Sequence, residues 1–279
     1  MIFSFSGCGW LFPFHFGVAK YIQDYMVSTQ HSSTDEPFVK ATDILHDLQD
    51  HTAENPHAAS TSHAFAGVSG GATVAAALAY HIPIEEIFEE AIKKYDTGLF
   101  RMCDAVMEVL DVMFKKTNVN KLKSHVLYVQ VSPATSLIRP RAHLITHFPS
   151  KAYCKHVIRA SSHIPILGGL LPYHVKGVGL CYDGGLAGMF PTFPDKISRK
   201  HHIIKVDATG WIPNSDLHLG FKVPYMWCFL PRPPHIMRLI YRLGFLKAEQ
   251  FFNPHASKLH YQEIVTLIEA LRPSYQSKM

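Results

Sequence analysis

His63-Ala64-Phe65-Ala66-Gly67-Val68-Ser69-Gly70-Gly71-Ala72 is the stretch on which the reading of this chain turns. Small and apolar residues up to Val68 suit a buried strand, and Ala72 to Tyr80 is a run of small apolar residues suited to a helix. Between them Gly67-x-Ser69-x-Gly71 sets a serine at a sharp strand-to-helix turn. Such an elbow pushes one hydroxyl out of the sheet edge in a strained backbone conformation. Glycines on either side avoid clashes, and the helix N-terminus behind favours developing negative charge. By spacing alone, the same residues also read as an ordinary glycine-rich turn that binds phosphate.

Outward from this unit the chain repeats the pattern. Ile2 to Ser6 reads as a short buried strand, Gly7-Cys8-Gly9 as a turn, and Phe16 to Met26 as a helix. Further helices are predicted over Pro83–Tyr95, Met102–Lys116, Lys151–Ser161 and Glu249–Leu271, and strands over Val126–Ser132, Gly179–Tyr182 and His201–Asp207. In the first of these helices Glu85, Glu86, Glu89 and Glu90 lead and Lys93 and Lys94 follow, which matches the helix dipole. Strands alternating with helices imply an α/β fold with a mostly parallel sheet covered on both faces. The segment 28–63 is rich in Ser, Thr, His, Asp and Glu and reads as a polar insertion, with a helical turn or two near Thr42–Leu48.

Composition removes several classes. With 47% hydrophobic residues the 279-residue chain has material for a sizeable core, which excludes disorder. Its 27 basic residues are scattered rather than massed in a stripe, so nucleic acid is not an expected partner. Cys8, Cys103, Cys154, Cys181 and Cys228 are widely spaced and contain no CxxC pair. Neither disulfides nor a zinc site is expected, and a reducing compartment fits best. Met1–Ala19 is apolar but lacks a basic n-region and carries Pro13 and His15, so it is read as mature structure. No run approaches the ~20 apolar residues of a membrane-spanning helix.

Two further motifs carry chemistry. Cys181-Tyr182-Asp183-Gly184-Gly185 puts an aspartate at a strand end before a tight turn, although Asp-Gly is also a common structural turn pair. Ser6-Gly7-Cys8-Gly9 follows the first strand, where its backbone amides can converge on a developing oxyanion. As a dinucleotide-binding turn it is weak, because Gly7-Cys8-Gly9-Trp10-Leu11-Phe12 lacks the third glycine. The 19 histidines offer a Ser-His-Asp triad by number alone.

Taken in order, these pieces resemble the patatin-like phospholipases. Phe5-Ser6-Gly7-Cys8-Gly9-Trp10-Leu11, His15 and Gly17-Val18-Ala19 resemble the animal-type, adiponutrin-related branch. Gly67-Val68-Ser69-Gly70-Gly71 is similar to the family elbow, Arg159-Ala160-Ser161-Ser162-His163-Ile164-Pro165 to the segment before the aspartate motif, and Asp183-Gly184-Gly185-Leu186 with Pro191 to the last motif. The resemblance covers about residues 1–195. Phe12 departs from it, standing where the family has a further glycine.

The resemblance implies a three-layer α/β/α fold and a Ser-Asp dyad with no catalytic histidine. Ser69 is then the nucleophile and Asp183 the base, with oxyanion amides at Gly7, Cys8 and Gly9 and structural support from Gly67, Gly71, Gly184 and Gly185. No cofactor or metal is implied. A catalytic domain over 1–210 and a C-terminal extension over 211–279 packed on it are expected, acting on phospholipid or acylglycerol. Alternatives are a catalytically idle lipid-binding or scaffold protein and a lipid acyltransferase. Within the extension, His235–Leu246 reads as an amphipathic helix, and its Arg238 and Arg242 suit an anionic bilayer or lipid-droplet surface as well as its apolar face suits a core. A cytoplasmic protein peripherally attached to such a surface is the expected placement.

Overall fold

The computed structural model describes residues 1–27, 63–94, 102–120, 122–123, 125–135, 139–253 and 257–276. The insertion expected over 28–63, with its helical turn, lies outside the described residues except for His63.

Eight strands form one sheet: β1 (Ile2–Phe5), β2 (Ala64–Val68), β3 (Leu127–Pro133), β4 (His143–Ile145), β5 (Tyr173–Val175), β6 (Gly179–Tyr182), β7 (Ile203–Asp207) and β8 (Leu217–His218). Their order is β5-β6-β3-β2-β1-β7-β8, with β4 also paired to β3. The run β3-β2-β1-β7-β8 is parallel, and β4, β5 and β6 join antiparallel. Strand β1 therefore sits centrally between β2 and β7, so the turn after β1 and the elbow after β2 leave the sheet side by side at its carboxyl edge. That edge is where open α/β sheets bind their ligands.

The helices are α1 (Phe12–Tyr21), α2 (Gly70–Ala79), α3 (Ile84–Ile92), α4 (Met102–Lys115), α5 (Lys151–Ser161), α6 (Asp195–Lys200), α7 (Met226–Phe229), α8 (Pro234–Phe252) and α9 (Ser257–Gln276). The expected α/β architecture with a mostly parallel, helix-flanked sheet holds. Its two faces are unequal. Phe3, Phe5 and Phe65 face a large core shared by all the helices except α6. Ile2, Ala64, Ala66 and Tyr128 face a small cluster closed by Phe193 and Ile197 at α6.

Two details differ from expectation, and a third decides between two readings of one helix. Helix α1 begins at Phe12, earlier than predicted, because Pro13 in the first turn suits a helix start. The helix predicted over Glu249–Leu271 is two: α8 stops at Asn253, and the residue before a proline, here Pro254, is pushed out of helical conformation. The 235–246 segment follows the core reading of its apolar face. Ile236, Met237, Ile240, Leu243 and Leu246 are buried in the core, Arg238 pairs with Glu89, and Arg242 holds Glu263 through two hydrogen bonds.

Helices α1 and α8 cross at van der Waals distance through two glycines. A methyl group on Gly17 would overlap the Tyr241 carbonyl, and one on Gly244 would overlap the Phe14 carbonyl. Gly17→Ala usually stabilises a helix interior by up to ~1 kcal/mol. Here overlap with rigid backbone reverses the sign, and a loss of roughly 2 kcal/mol is expected from forced separation. Thermal unfolding followed by circular dichroism checks this, and an unchanged or raised Tm contradicts the crossing.

Candidate active site

Ser69 occupies the turn between β2 and α2 with φ 54 and ψ −125, a left-handed conformation that only strong local constraints hold in a non-glycine residue. The constraints are visible. A side chain on Gly67 would collide with the Gly71 carbonyl, and one on Gly71 with the Ser6 carbonyl, so both elbow glycines are required by close backbone approach. The Ser69 N–H donates to Ser161 Oγ at 2.9 Å, and the Ser161 hydroxyl donates to the Gln130 carbonyl at 2.7 Å. Ser161, at the end of α5, thus ties the elbow to β3.

Asp183 follows β6 and is only 5% exposed. Its N–H donates to the His163 carbonyl at 2.9 Å, and its Oδ1 accepts the Gly185 N–H at 2.7 Å. The loop is clamped from β3. Gln130 Nε2 donates to the carbonyls of Gly184 and Gly188, each at 2.9 Å, while its Oε1 accepts the Thr192 N–H at 2.8 Å. The Ser132 hydroxyl donates to the Asp183 carbonyl at 2.8 Å. A side chain on Gly184 would strike the Gln130 carbonyl, which explains that glycine. Asp183 Oδ2 is buried and has no well-formed hydrogen bond. Burial raises the Asp183 carboxyl to about 6, and the Gly185 N–H and the Ser69 hydroxyl oppose the rise. The Ser69 hydroxyl therefore acts on this carboxylate from close by, in a looser geometry than a formed hydrogen bond.

The glycine turn needs one correction. The Gly7 N–H donates to the Met189 carbonyl at 2.8 Å, so it is not a free oxyanion donor. The chain after Asp183 folds back over the end of β1 and consumes that amide. The N–H groups of Cys8, Gly9 and Gly70 have no acceptor among the described residues. They lie together: a Cβ on Gly70 would be 2.9 Å from Cys8 Sγ and 3.5 Å from the Gly9 nitrogen. Gly70 was not among the expected donors, although the residue after an elbow serine regularly supplies one. Gly9 has φ +51, and a side chain there would run into the Cys228 carbonyl of α7, so the C-terminal part of the chain forms the back of this turn.

Beside Ser69 opens a narrow cleft with a cavity volume of about 50 Å³, well below that of a fully formed small-molecule site. Trp10, Phe12 and Phe16 line one side, Ala91, Ala105, Val106 and Val109 another, with Thr73 and Ser162 between. Among the described residues no histidine lines it. His15 is fully buried, which drives its pKa down to about 3 and keeps it neutral, and its Nε2 faces Ser6 Oγ at 3.5 Å. His163 hydrogen-bonds the Leu171 carbonyl at 2.8 Å through Nε2. Among the described residues, no group of three or more His, Cys, Asp or Glu side chains could hold a metal ion.

A family model for patatin-like phospholipases matches residues 3–195, a span that contains the glycine turn, the elbow and Asp183. The chain belongs to this family. Comparison with the curated proteins finds no match. Patatin-like phospholipases are lipid acyl hydrolases, which accords with an apolar cleft meeting an elbow serine. Gln130, Ser132 and Ser161 are not legible as site residues in the sequence: Ser161 lies within the Arg159–Pro165 motif without a role of its own, and one glutamine and one serine in an apolar strand carry no signal.

The raised carboxyl has a stability consequence. Unfolding returns Asp183 from about 6 to near 3.8, so the native state binds more protons than the unfolded state between those values. Stability then falls as pH rises through this window, by roughly 3 kcal/mol once the pKa difference is converted. Asp183→Asn keeps the acceptor for Gly185 and removes the penalty. Denaturant melts at pH 4 and pH 7.5 should show the variant gaining on wild type only at the higher pH.

Proposed function

We propose that this patatin-family protein is a serine lipid acyl hydrolase working through a Ser69-Asp183 dyad. The observation that carries the reading is the buried Asp183, whose Oδ2 has no hydrogen-bond partner and whose carboxyl is influenced by the Ser69 hydroxyl. An ordinary aspartate is too weak a base for a hydroxyl, and burial makes this one stronger while leaving it mostly ionised at neutral pH.

In this reading Asp183 takes the Ser69 proton as Ser69 Oγ attacks the ester carbonyl. The N–H groups of Cys8, Gly9 and Gly70 receive the oxyanion, and each such donor is worth about 3 kcal/mol in the barrier. Asp183 then protonates the departing alcohol. Water attacks the acyl-serine with Asp183 again as base, and Ser69 is regenerated. A lipid alcohol in place of that water makes the product a transacylated lipid, which product analysis with an added acceptor distinguishes. The Phe5–Leu11 stretch with His15 and Gly17 supports placement in the adiponutrin-related branch.

Phospholipid or acylglycerol is the proposed substrate, met at a membrane or lipid-droplet surface by a cytoplasmic protein. The loops beside the cleft, rather than the 235–246 helix, support this placement. Leu170 and Leu171 are 78% and 82% exposed, and Ile166, Leu186, Met189, Tyr225, Met226 and Leu230 are also exposed. These loops adjoin the site: His163 meets Asp183, Met189 meets Gly7, and Cys228 meets Gly9. Exposed apolar side chains on loops that adjoin one site suit an apolar surface.

Hydrolysis of a fluorogenic long-chain ester is expected to fall at least about 10³-fold in both Ser69→Ala and Asp183→Asn, with folding kept. Wild-type kcat/KM should rise with pH through about 6 and level above it, because the carboxylate is the active form. Retained turnover in Asp183→Asn contradicts the dyad. In liposome flotation, Leu170→Glu with Leu171→Glu should weaken binding, and Arg238→Gln with Arg242→Gln should not.

A further inference from the structure

The cleft beside Ser69 has a shape that bears on which acyl group it takes. Its reactive end is formed by Ser69, Gly70, Gly9 and Ser162. Thr73, also on the cleft wall, follows Ser69 by about one turn of α2, a rise of about 6 Å along the helix. Beyond the reactive end the lining is almost wholly carbon. Lys94 contributes its stem, since its ammonium is paired with Glu108. A phosphate or other charged headgroup would find no uncommitted counter-charge on these walls, whereas an acyl chain needs none. Ala91 and Ala105, both buried, leave room for the chain between α3 and α4.

Phe12 intrudes on this space. Its backbone is right-handed helical (φ −50, ψ −25), so nothing in the local conformation requires a glycine. Its half-buried ring is held in place on the cleft wall, edge-on to Phe16 at 5.6 Å and tilted against Trp10 at 5.8 Å. Phe16 and Trp10 are themselves buried and stay packed without it. Val106, half-buried on α4, lines the same cleft.

We propose that Phe12 is a specificity-determining residue that limits the length of the acyl chain, favouring medium chains over long ones. The proposal rests on the acyl-serine reading. Removing the ring lengthens the usable cleft, and adding a ring at Val106 in that background closes it again.

Alkyl fluorophosphonates with butyl, octyl and hexadecyl chains test it, with the labelling rate at Ser69 read by intact-protein mass. Wild type should label with octyl roughly tenfold faster than with hexadecyl, a difference of the size a hydrophobic pocket supplies. Phe12→Ala should bring the ratio near unity, and Phe12→Ala with Val106→Phe should restore it. A ratio unchanged by Phe12→Ala, or no length preference in wild type, overturns the proposal. Binding of octanoate and hexadecanoate to Ser69→Ala, with and without Phe12→Ala, reads the cleft without chemistry through tryptophan fluorescence, with Trp211 and Trp227 replaced by Phe so that Trp10 alone reports. Length-dependent binding without labelling at Ser69 defeats the acyl-serine reading and upholds the role of Phe12 in the cleft. Labelling without length dependence does the reverse, and the absence of both defeats the two together.

Discussion

The buried amide of Gln130 is the interaction on which the site depends. Its side chain holds the Asp183 loop through Gly184, Gly188 and Thr192, and its carbonyl accepts from the serine that fixes the Ser69 amide. One residue of a central strand therefore sets the separation of two groups that are 114 positions apart in sequence. An unmet buried amide is costly, so its polar atoms leave that loop little freedom. Asp183 can then stay buried with an open oxygen, a state that a looser loop would relieve by turning the carboxylate toward water.

The second constraint is backbone packing. Around Ser69 the chain passes so close to itself that side chains are excluded at Gly67 and Gly71, and the strained serine is held by this crowding. The same strategy recurs where α1 meets α8, which brings α1 and the aromatics near its start against the core. Strain at Ser69 is thus balanced by burial elsewhere in the fold.

Much of this was legible in the chain. The principal parallel strands, the elbow and the aspartate turn all announce themselves through runs and glycine spacing that local physics demands. The strands β4, β5 and β8 are two or three residues long, too short for any periodicity. The loss of the Gly7 amide to Met189 depends on a loop returning from 182 positions away, and no local pattern encodes it. The fate of Arg238 and Arg242 was hidden for a similar reason: an amphipathic helix looks the same whether its partner is a bilayer or α1. Only the positions of Glu89 and Glu263 in space decide between them.

The contact between Gly9 and Cys228 reaches beyond local geometry. The family match ends at 195, yet the turn bearing the Cys8 and Gly9 amides leans on the carbonyl of a residue more than thirty positions later. Pocket-facing chemistry at the front of the chain and scaffolding at its back form one mechanical piece. Sequence drift around Met226–Phe229 is therefore able to shift the glycine turn from behind, although those residues do not line the cleft.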